Sequence, residues 1–385
     1  MTFSSLSLDL RKREADGLLR RRRILESPQG ARVRVDGEDV LSFCSNDYLG
    51  LANHPALIQA VCRGAQQFGV GAGASHLVTG HSAAHHELEQ ALAGFTGLPA
   101  ALLFSTGYMA NLGIITALLG RNDTVFADRL NHASLNDAAL LSRARMVRYP
   151  HCDLAALERQ LATSTARRKL VVSDAVFSMD GDIAPVAELL ALCEQHDAWL
   201  LLDDAHGFGV LGDKGQGALS HFGVQSPRII YMATLGKAAG VFGAFVAGEP
   251  ELIAWLVQSA RSYIYTTATP PLLAAALLES VRLIESEGWR RERLVELVKA
   301  LRTGLKSKRW RLMPSETPIQ PLLIGSSQDA VRVSEGLHQR GILVPAIRPP
   351  TVPEGTARLR ISLSAAHSVA DVESLITALH DMDAQ

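Results

Sequence analysis

Cysteine is scarce in this chain. Four residues, Cys44, Cys62, Cys152 and Cys193, are spread over 385 positions and never form a C-x-x-C pair. That excludes a disulfide framework and a cysteine-based zinc site, and it suits a reducing compartment. An excess of either charge is also lacking: 38 Lys and Arg face 39 Asp and Glu, for a net charge of −1. A general nucleic-acid binder would need a strongly basic face. No apolar run approaches the roughly 20 residues of a membrane span. The N-terminus, MTFSSLSLDLRKREADGLLRRRR, lacks the apolar core and small-residue cleavage site of a secretory signal. Asp9, Glu14 and Asp16 argue against a transit peptide, so a soluble cytoplasmic protein is expected. Internal repeats and low-complexity tracts are absent too.

What remains is an ordinary globular mixture, 47% hydrophobic and 20% charged. It is long enough to bury a core without staples and to form about two or three domains. The first 25 residues read as helical, and ARVRVDGEDVLSFCS reads as a hairpin around a D-G turn. Residues 54–68 have helical spacing. From about residue 100, short apolar runs alternate with amphipathic stretches: ALLFS, TVFAD, ARMVRY, LVVSDAV, AWLLLDDA, RIIYMAT and GAFVAG. Strands nearly all apolar and separated by helices imply an α/β fold with a mostly parallel sheet covered on both faces. A long helix, roughly 271 to 312 with a break near Gly288, then leads to a smaller α+β unit. The expected division is an N-terminal helix and hairpin arm (1–45), a major domain (46–285) and a C-terminal α+β domain (286–385).

Ligands of such sheets bind at the carboxyl ends of the strands. There the chain carries Ser105-Thr106-Gly107-Tyr108, Asn131-His132-Ala133-Ser134, Phe177-Ser178-Met179-Asp180, Asp203-Asp204-Ala205-His206 and Thr234-Leu235-Gly236-Lys237. Singly, each has a bland reading: a loop lysine, a helix-capping aspartate, a core histidine. Five such clusters on one edge amount to a site. The chemistry they fit is that of pyridoxal phosphate (PLP). It needs a lysine for a Schiff base, a carboxylate to keep the pyridine nitrogen protonated, and a phosphate cradle at a helix N-terminus. Lys237, Asp203 and the turn from Ser105 to Tyr108 can supply these in order.

Other features read more plainly. Gly69-Val70-Gly71-Ala72-Gly73-Ala74 resembles a dinucleotide turn, but a helical segment precedes it, not a strand. His81, His85 and His86 suggest a metal, but no other ligand type accompanies them, so a helix face and no metal are expected. The arginine-rich runs at 20–23, 290–293 and 306–311 read as solvated helix faces, or more sharply as docking for an acidic carrier or the phosphates of coenzyme A.

The strings SNDYLGL, GHSAAHHELE, NHASL, VFSMDGDIAP, DDAHGFGVLG, TLGKAAG and AIRPPTVPEGTARLRISL extend from about residue 40 to 365. With them the chain resembles the α-oxoamine synthases, PLP-dependent acyltransferases of the aspartate-aminotransferase fold type. DDAHG followed about thirty residues later by TLGK is the most specific part. The resemblance implies a PLP-binding major domain and a homodimer with the active site at the subunit interface. It implies Lys237 as the Schiff-base lysine and α-proton base, Asp203 as the pyridinium partner, and Asp204 as structural. His206 and Ser178 would meet the ring hydroxyl, and His132 would stack on the ring near the substrate carboxylate. Gly107, Tyr108 and Thr234 would serve the phosphate, joined by Thr266 and Thr267 of a second copy. Asn46 and Arg360 would bind the amino-acid carboxylate, with Thr351 and Arg20 as further substrate contacts. AIRPPTVPEGTARLRISL points to the branch that joins L-alanine to a pimeloyl thioester, on coenzyme A or a carrier protein, with loss of carbon dioxide. Sister enzymes, which share every cofactor residue, use glycine or serine with other acyl thioesters. A PLP-fold binding module without turnover is the remaining alternative. The chain departs from the family pattern at Ala72, Ala74, His76 and Ala238-Ala239.

Overall fold

The computed structural model describes residues 3–15, 18–20 and 22–384. Its strands are β1 (Arg32–Val35), β2 (Glu38–Ser42), β3 (Ala100–Phe104), β4 (Thr124–Asp128), β5 (Arg145–Tyr149), β6 (Lys169–Asp174), β7 (Trp199–Asp203), β8 (Ile229–Thr234), β9 (Ala244–Gly248), β10 (Arg311–Leu312), β11 (Ile319–Gly325), β12 (Ile342–Leu343), β13 (Ala346–Ile347) and β14 (Ala357–Ser362). Seven of them form one sheet in the order β3-β9-β8-β7-β6-β4-β5. β9 alone runs against its neighbours; β4 through β8 pair in parallel. The carboxyl ends of β3, β4, β6, β7 and β8 therefore share one edge, as the alternation of apolar runs and helices predicts.

Why these runs form central strands is visible in their two-faced burial. Leu201, Leu170 and Val172 pack into one core beside Ile114 and Leu135. Their neighbours Leu200, Leu202 and Val171 point through the sheet into the other, against Leu189 and Leu219. Alternate side chains face opposite sides, so a strand buried on both must be apolar throughout. The apolar pattern stops at Asp128, Asp174 and Asp203, the last residues of β4, β6 and β7. Asp174 and Asp203 stand directly opposite each other in the ladder. The sheet thus carries acids to one edge side by side.

The D-G hairpin forms: β1 and β2 pair antiparallel, and Asp36 and Gly37 take the positive φ values, 51° and 85°, that a tight hairpin turn requires. β12 extends this pair in parallel. β10, β11, β14 and β13 make a four-stranded sheet in that order. Two expectations differ. Among the described residues of the first 25, only Ser4–Ala15 is helical; its Leu6, Leu8 and Leu10 are exposed, so no packing extends it, while residues 1, 2, 16, 17 and 21 lie outside the described set. The long helix breaks at Glu287 and Gly288, but its second half, Trp289–Gly304, ends eight residues before 312. Arg311 and Leu312 pair with β11 instead, a tertiary contact overriding local propensity. Among the described residues no helix is long and apolar enough to cross a membrane.

Candidate active site at the strand ends

Lys237 follows β8, and its Nζ lies 2.8 Å from Nε2 of His206, in the loop after β7. His206 Nδ1 lies 2.6 Å from the Tyr48 hydroxyl. Burial, then the cations Lys237 and Arg360, hold His206 well below the usual histidine range, so the ring is neutral. A neutral imidazole that accepts Lys237 N–H at Nε2 carries its proton on Nδ1 and donates it to the Tyr48 oxygen. Tyr48 O–H then donates to Asn46 Oδ1 at 3.1 Å, and Arg360 Nη1 donates to the same oxygen at 3.1 Å. The chain Lys237–His206–Tyr48–Asn46 is thus polarised in one direction. Burial lowers Lys237 to about 8 despite the nearby carboxylates Asp203 and Asp174. A substantial neutral fraction is therefore present near physiological pH.

Beside this chain, Asp203 is buried. Its Oδ2 accepts from Asn111 Nδ2 at 2.8 Å and its Oδ1 from Ala205 N–H at 3.1 Å. Among the described residues it has no arginine or lysine in ion-pair contact, so its charge is held by neutral donors and aimed at the edge. Asp174 accepts from the His132 N–H at 2.7 Å. Burial and the adjacent Asp203 push Asp174 well above the usual carboxylate range: two acids this close do not both ionise easily. His132 caps the helix Ala133–Ser142, with its Nδ1 2.8 Å from Ser134 Oγ. Burial lowers its pKa and Lys237 lowers it further, with Asp203 opposing.

The turn after β3 opens a helix. Thr106 caps the helix Gly107–Leu118, its Oγ1 accepting from Met109 N–H at 3.2 Å. The N–H groups of Gly107 and Tyr108 have no acceptor among the described residues and sit at the positive end of the helix dipole. Position 107 admits no side chain: a Cβ there would lie 2.7 Å from Thr234 Cγ2. Gly107→Ala is therefore expected to cost about 1–3 kcal/mol of stability through overpacking and to weaken phosphate binding as Thr234 is displaced. Denaturant titration and a PLP dialysis series would check both. The half-exposed Tyr108 donates its hydroxyl to Asp137.

Arg360, on β14, is buried. Its Nε donates to the Ser178 carbonyl at 2.6 Å, and its Nη1 to Ser362 Oγ at 2.7 Å. Every partner is neutral, so a buried guanidinium faces the Lys237 cluster without a counter-anion. Arg358, two residues earlier on the same face, instead pairs with Asp180. Lys237, Gly236 and Asn46 line a cavity of about 520 Å³ whose other walls include Val33, Val35 and Leu343.

Of the expected site residues, Lys237, His206, Asn46 and Arg360 form one hydrogen-bonded group, with Ser178 joining through its carbonyl. Asp203 and His132 stand at the adjoining strand ends, with Gly107 and Thr234 in mutual contact near them. Asp204 turns away: it accepts from Ala218 N–H at 2.7 Å and from the Tyr231 hydroxyl at 2.8 Å, and burial raises it to about 7. Arg20, Thr267 and Thr351 are exposed and Thr266 is half-buried; none of the four bonds to the cluster among the described residues. Three residues that the sequence reasoning passed over complete it: Tyr48, Asn111 and Asp174. Tyr48 lies inside the quoted SNDYLGL, and Asn111 is four residues beyond Gly107, hence on the same helix face. The arginine run at 290–293 is no free basic face: Arg290 is buried on Glu287 and the Leu49 carbonyl, and Arg291 donates to the carbonyls of Ile284 and Asp213.

A family model described as aminotransferase class I and II matches residues 38–379. A serine palmitoyltransferase from S. paucimobilis, solved with bound PLP–myriocin aldimine, superposes with a TM-score of 0.92 at 32% identity, covering 98% of this chain and 96% of its own. These define the class, the PLP-dependent aminotransferase fold. An 8-amino-7-oxononanoate synthase from Francisella tularensis superposes with a TM-score of 0.78 at 30% identity, over 90% of this chain and 97% of its own. The 8-amino-7-oxononanoate synthase of Nitrosospira multiformis is 68% identical over 374 residues, 97% of this chain and 94% of the relative. The chain belongs to the class I and II aminotransferases and, within them, to the 8-amino-7-oxononanoate synthase family.

Proposed function

We propose that this chain condenses L-alanine with a pimeloyl thioester, releasing carbon dioxide and a thiol to give 8-amino-7-oxononanoate for biotin synthesis. The observation that carries this reading is the unneutralised Arg360 guanidinium, buried beside a lysine and a histidine that share a hydrogen bond. PLP, when bound, is an electron sink that stabilises negative charge at the substrate α-carbon. The residues fit it. Lys237 would hold it covalently, Asp203 would face its ring nitrogen, and His206 with Ser178 its ring hydroxyl. His132 would cover the ring face, and the vacant N–H groups of Gly107 and Tyr108, with Thr234, would take its phosphate.

The protein groups then have distinct tasks. Arg360 grips the amino-acid carboxylate through a planar fork that Asn46 holds in place. Neutral Lys237 takes the α-proton, and His206, being neutral and hydrogen-bonded to it, keeps that amine oriented. The cavity walls of Val33, Val35 and Leu343 offer the pimeloyl chain an apolar path. Arg20 and Thr351 would reach the substrate from the arm and the proline loop. Residues 46–285 would hold the cofactor, with 286–385 delivering Arg360. A second copy of the chain would lend Thr266 and Thr267 to the phosphate, making the active unit a homodimer. Exposed Val70, Leu77, Val78 and Tyr265 support a covered face near those threonines.

Product identification tests the reading. Purified protein with L-alanine and pimeloyl-coenzyme A, or its carrier-protein equivalent, should yield 8-amino-7-oxononanoate by mass spectrometry. Faster turnover of glycine with acetyl-coenzyme A would overturn it in favour of a sister activity. A pH prediction follows from Lys237. The lowered pKa means the amine is protonated below about 8 and free above it. Capture of added PLP by the cofactor-free protein should accelerate with pH through about 8 and then level. Stopped-flow absorbance would follow it; a profile that keeps rising towards the ordinary lysine range would contradict the burial effect.

A further inference from the structure

Beyond the strand-end site, the chain gathers four histidines and a glutamate around the start of one helix. His81 lies two residues before the helix Ala83–Thr96, which carries His85, His86 and Glu89, while His76 begins the preceding turn. Side-chain ligand atoms of His81, His86 and Glu89 all lie within 4.8 Å of one another. Around these histidines the fold places a carboxylate and a further histidine that their spacing alone does not suggest. The geometry points to a binding site for a divalent zinc-type transition-metal ion, ligated by His81, His86 and Glu89 and oriented by His76.

Lone-pair accounting selects these three. His85 is spent: Ser82 N–H donates to its Nδ1 at 3.1 Å, so Nε2 carries the proton and donates to the Thr269 carbonyl at 2.8 Å. His81 is not. Its Nδ1 lies 3.0 Å from His76 Nδ1; with the proton on His81 Nδ1, its Nε2 keeps a free lone pair, 3.9 Å from Glu89 Oε2. Glu89 Oε1 accepts from the Leu103 N–H at 2.9 Å, which leaves Oε2 open. His86 and Glu89 are three apart on the helix and so share a face. Gln90, which meets His86 Nε2 at 3.1 Å, is exposed and can yield. Metal–ligand bonds of roughly 2.0–2.2 Å place tetrahedral ligand atoms about 3.3–3.5 Å apart, so His81 and Glu89 need to close by only about half an ångström. A histidine held by a neighbour's nitrogen and a carboxylate held by a backbone N–H are the outer contacts that ligands of this kind use.

The electrostatics agree. No lysine or arginine pairs with Glu89 among the described residues, so no fixed cation competes for its open oxygen. The competing cluster of Asp128, His151 and Cys152 is different. Burial alone would lower His151, but hydrogen bonds to Asp128 and Asp182 carry it up to about 12, and a protonated ring has no lone pair to give.

Cobalt tests the site. Tag-free holoenzyme should bind about one Co²⁺ per chain with visible d–d bands, and Zn²⁺ should displace it. His86→Ala changes an exposed residue and should weaken binding beyond the roughly 10–100-fold typical of losing an outer partner. His76→Phe retains a ring to stack on Tyr263 (ring centroids 5.0 Å apart in the native pair) and should fall within that range. Glu89→Gln should weaken binding as His86→Ala does. Absence of the bands at millimolar Co²⁺, or bands indifferent to His86→Ala and Glu89→Gln, would overturn the assignment.

Discussion

Lys237→Ala should lower turnover by more than roughly 10³-fold, since a positioned base alone contributes about 10²–10⁴-fold and the proposed function also has this residue anchor the cofactor. Lys237 is the lysine of the strand-end cluster, its amine 2.8 Å from His206, and His206, held well below the usual histidine range by burial, is too weak a base to replace it. The variant should remain folded. A lysine whose folded pKa is depressed to about 8 from the ordinary lysine value of 10.5 carries a penalty that is fully present below about 8. That penalty fades as pH rises from about 8 to 10.5. At pH 7 its removal therefore does not lower the thermal midpoint. Borohydride reduction of wild-type holoenzyme followed by peptide mapping should place the pyridoxyl group on Lys237. A label on another lysine would refute the assignment outright.

How much of this was legible beforehand follows from what a single chain can display. The acids and histidine at the end of β7 and the lysine after β8 announce themselves because buried strands must be apolar, so the first polar residue marks the edge. Asp174 hid in plain view: only the register that sets it opposite Asp203 turns a strand-terminal acid into half of a coupled pair. Tyr48 reads as a core aromatic until His206 arrives from 158 residues away. Asn111 needs the helix phase and β7 together. The end of the helix at Gly304 depends on β10 joining β11, a pairing with no local signature. His81 and Glu89 illustrate the limit most sharply, since nothing in the chain order shows that His81 meets His76 or that Glu89 takes the Leu103 N–H.

The neighbouring aspartates offer the second decisive result, because two adjacent residues of one type have opposite surroundings. Asp203→Asn is isosteric and keeps an acceptor for Asn111 or Ala205, so PLP should stay bound and the fold intact. What is lost is a negative charge aimed at the site edge. Removing one preorganised electrostatic group of this kind costs about 10²–10³-fold in turnover. Exchange of the L-alanine α-proton in deuterated water, without acyl donor, should slow by a similar factor, which locates the defect at the α-carbon and not in acyl transfer. Asp204→Asn is the counterpart. Its carboxylate is committed to Ala218 N–H and the Tyr231 hydroxyl, so mispairing these buried groups should cost about 1–3 kcal/mol of stability. The rate per folded molecule should hardly change. Near-native proton exchange in Asp203→Asn would remove the electrostatic role assigned to Asp203. A catalytic defect in Asp204→Asn matching that of Asp203→Asn, with stability unchanged, would mean that the two roles had been assigned to the wrong aspartates.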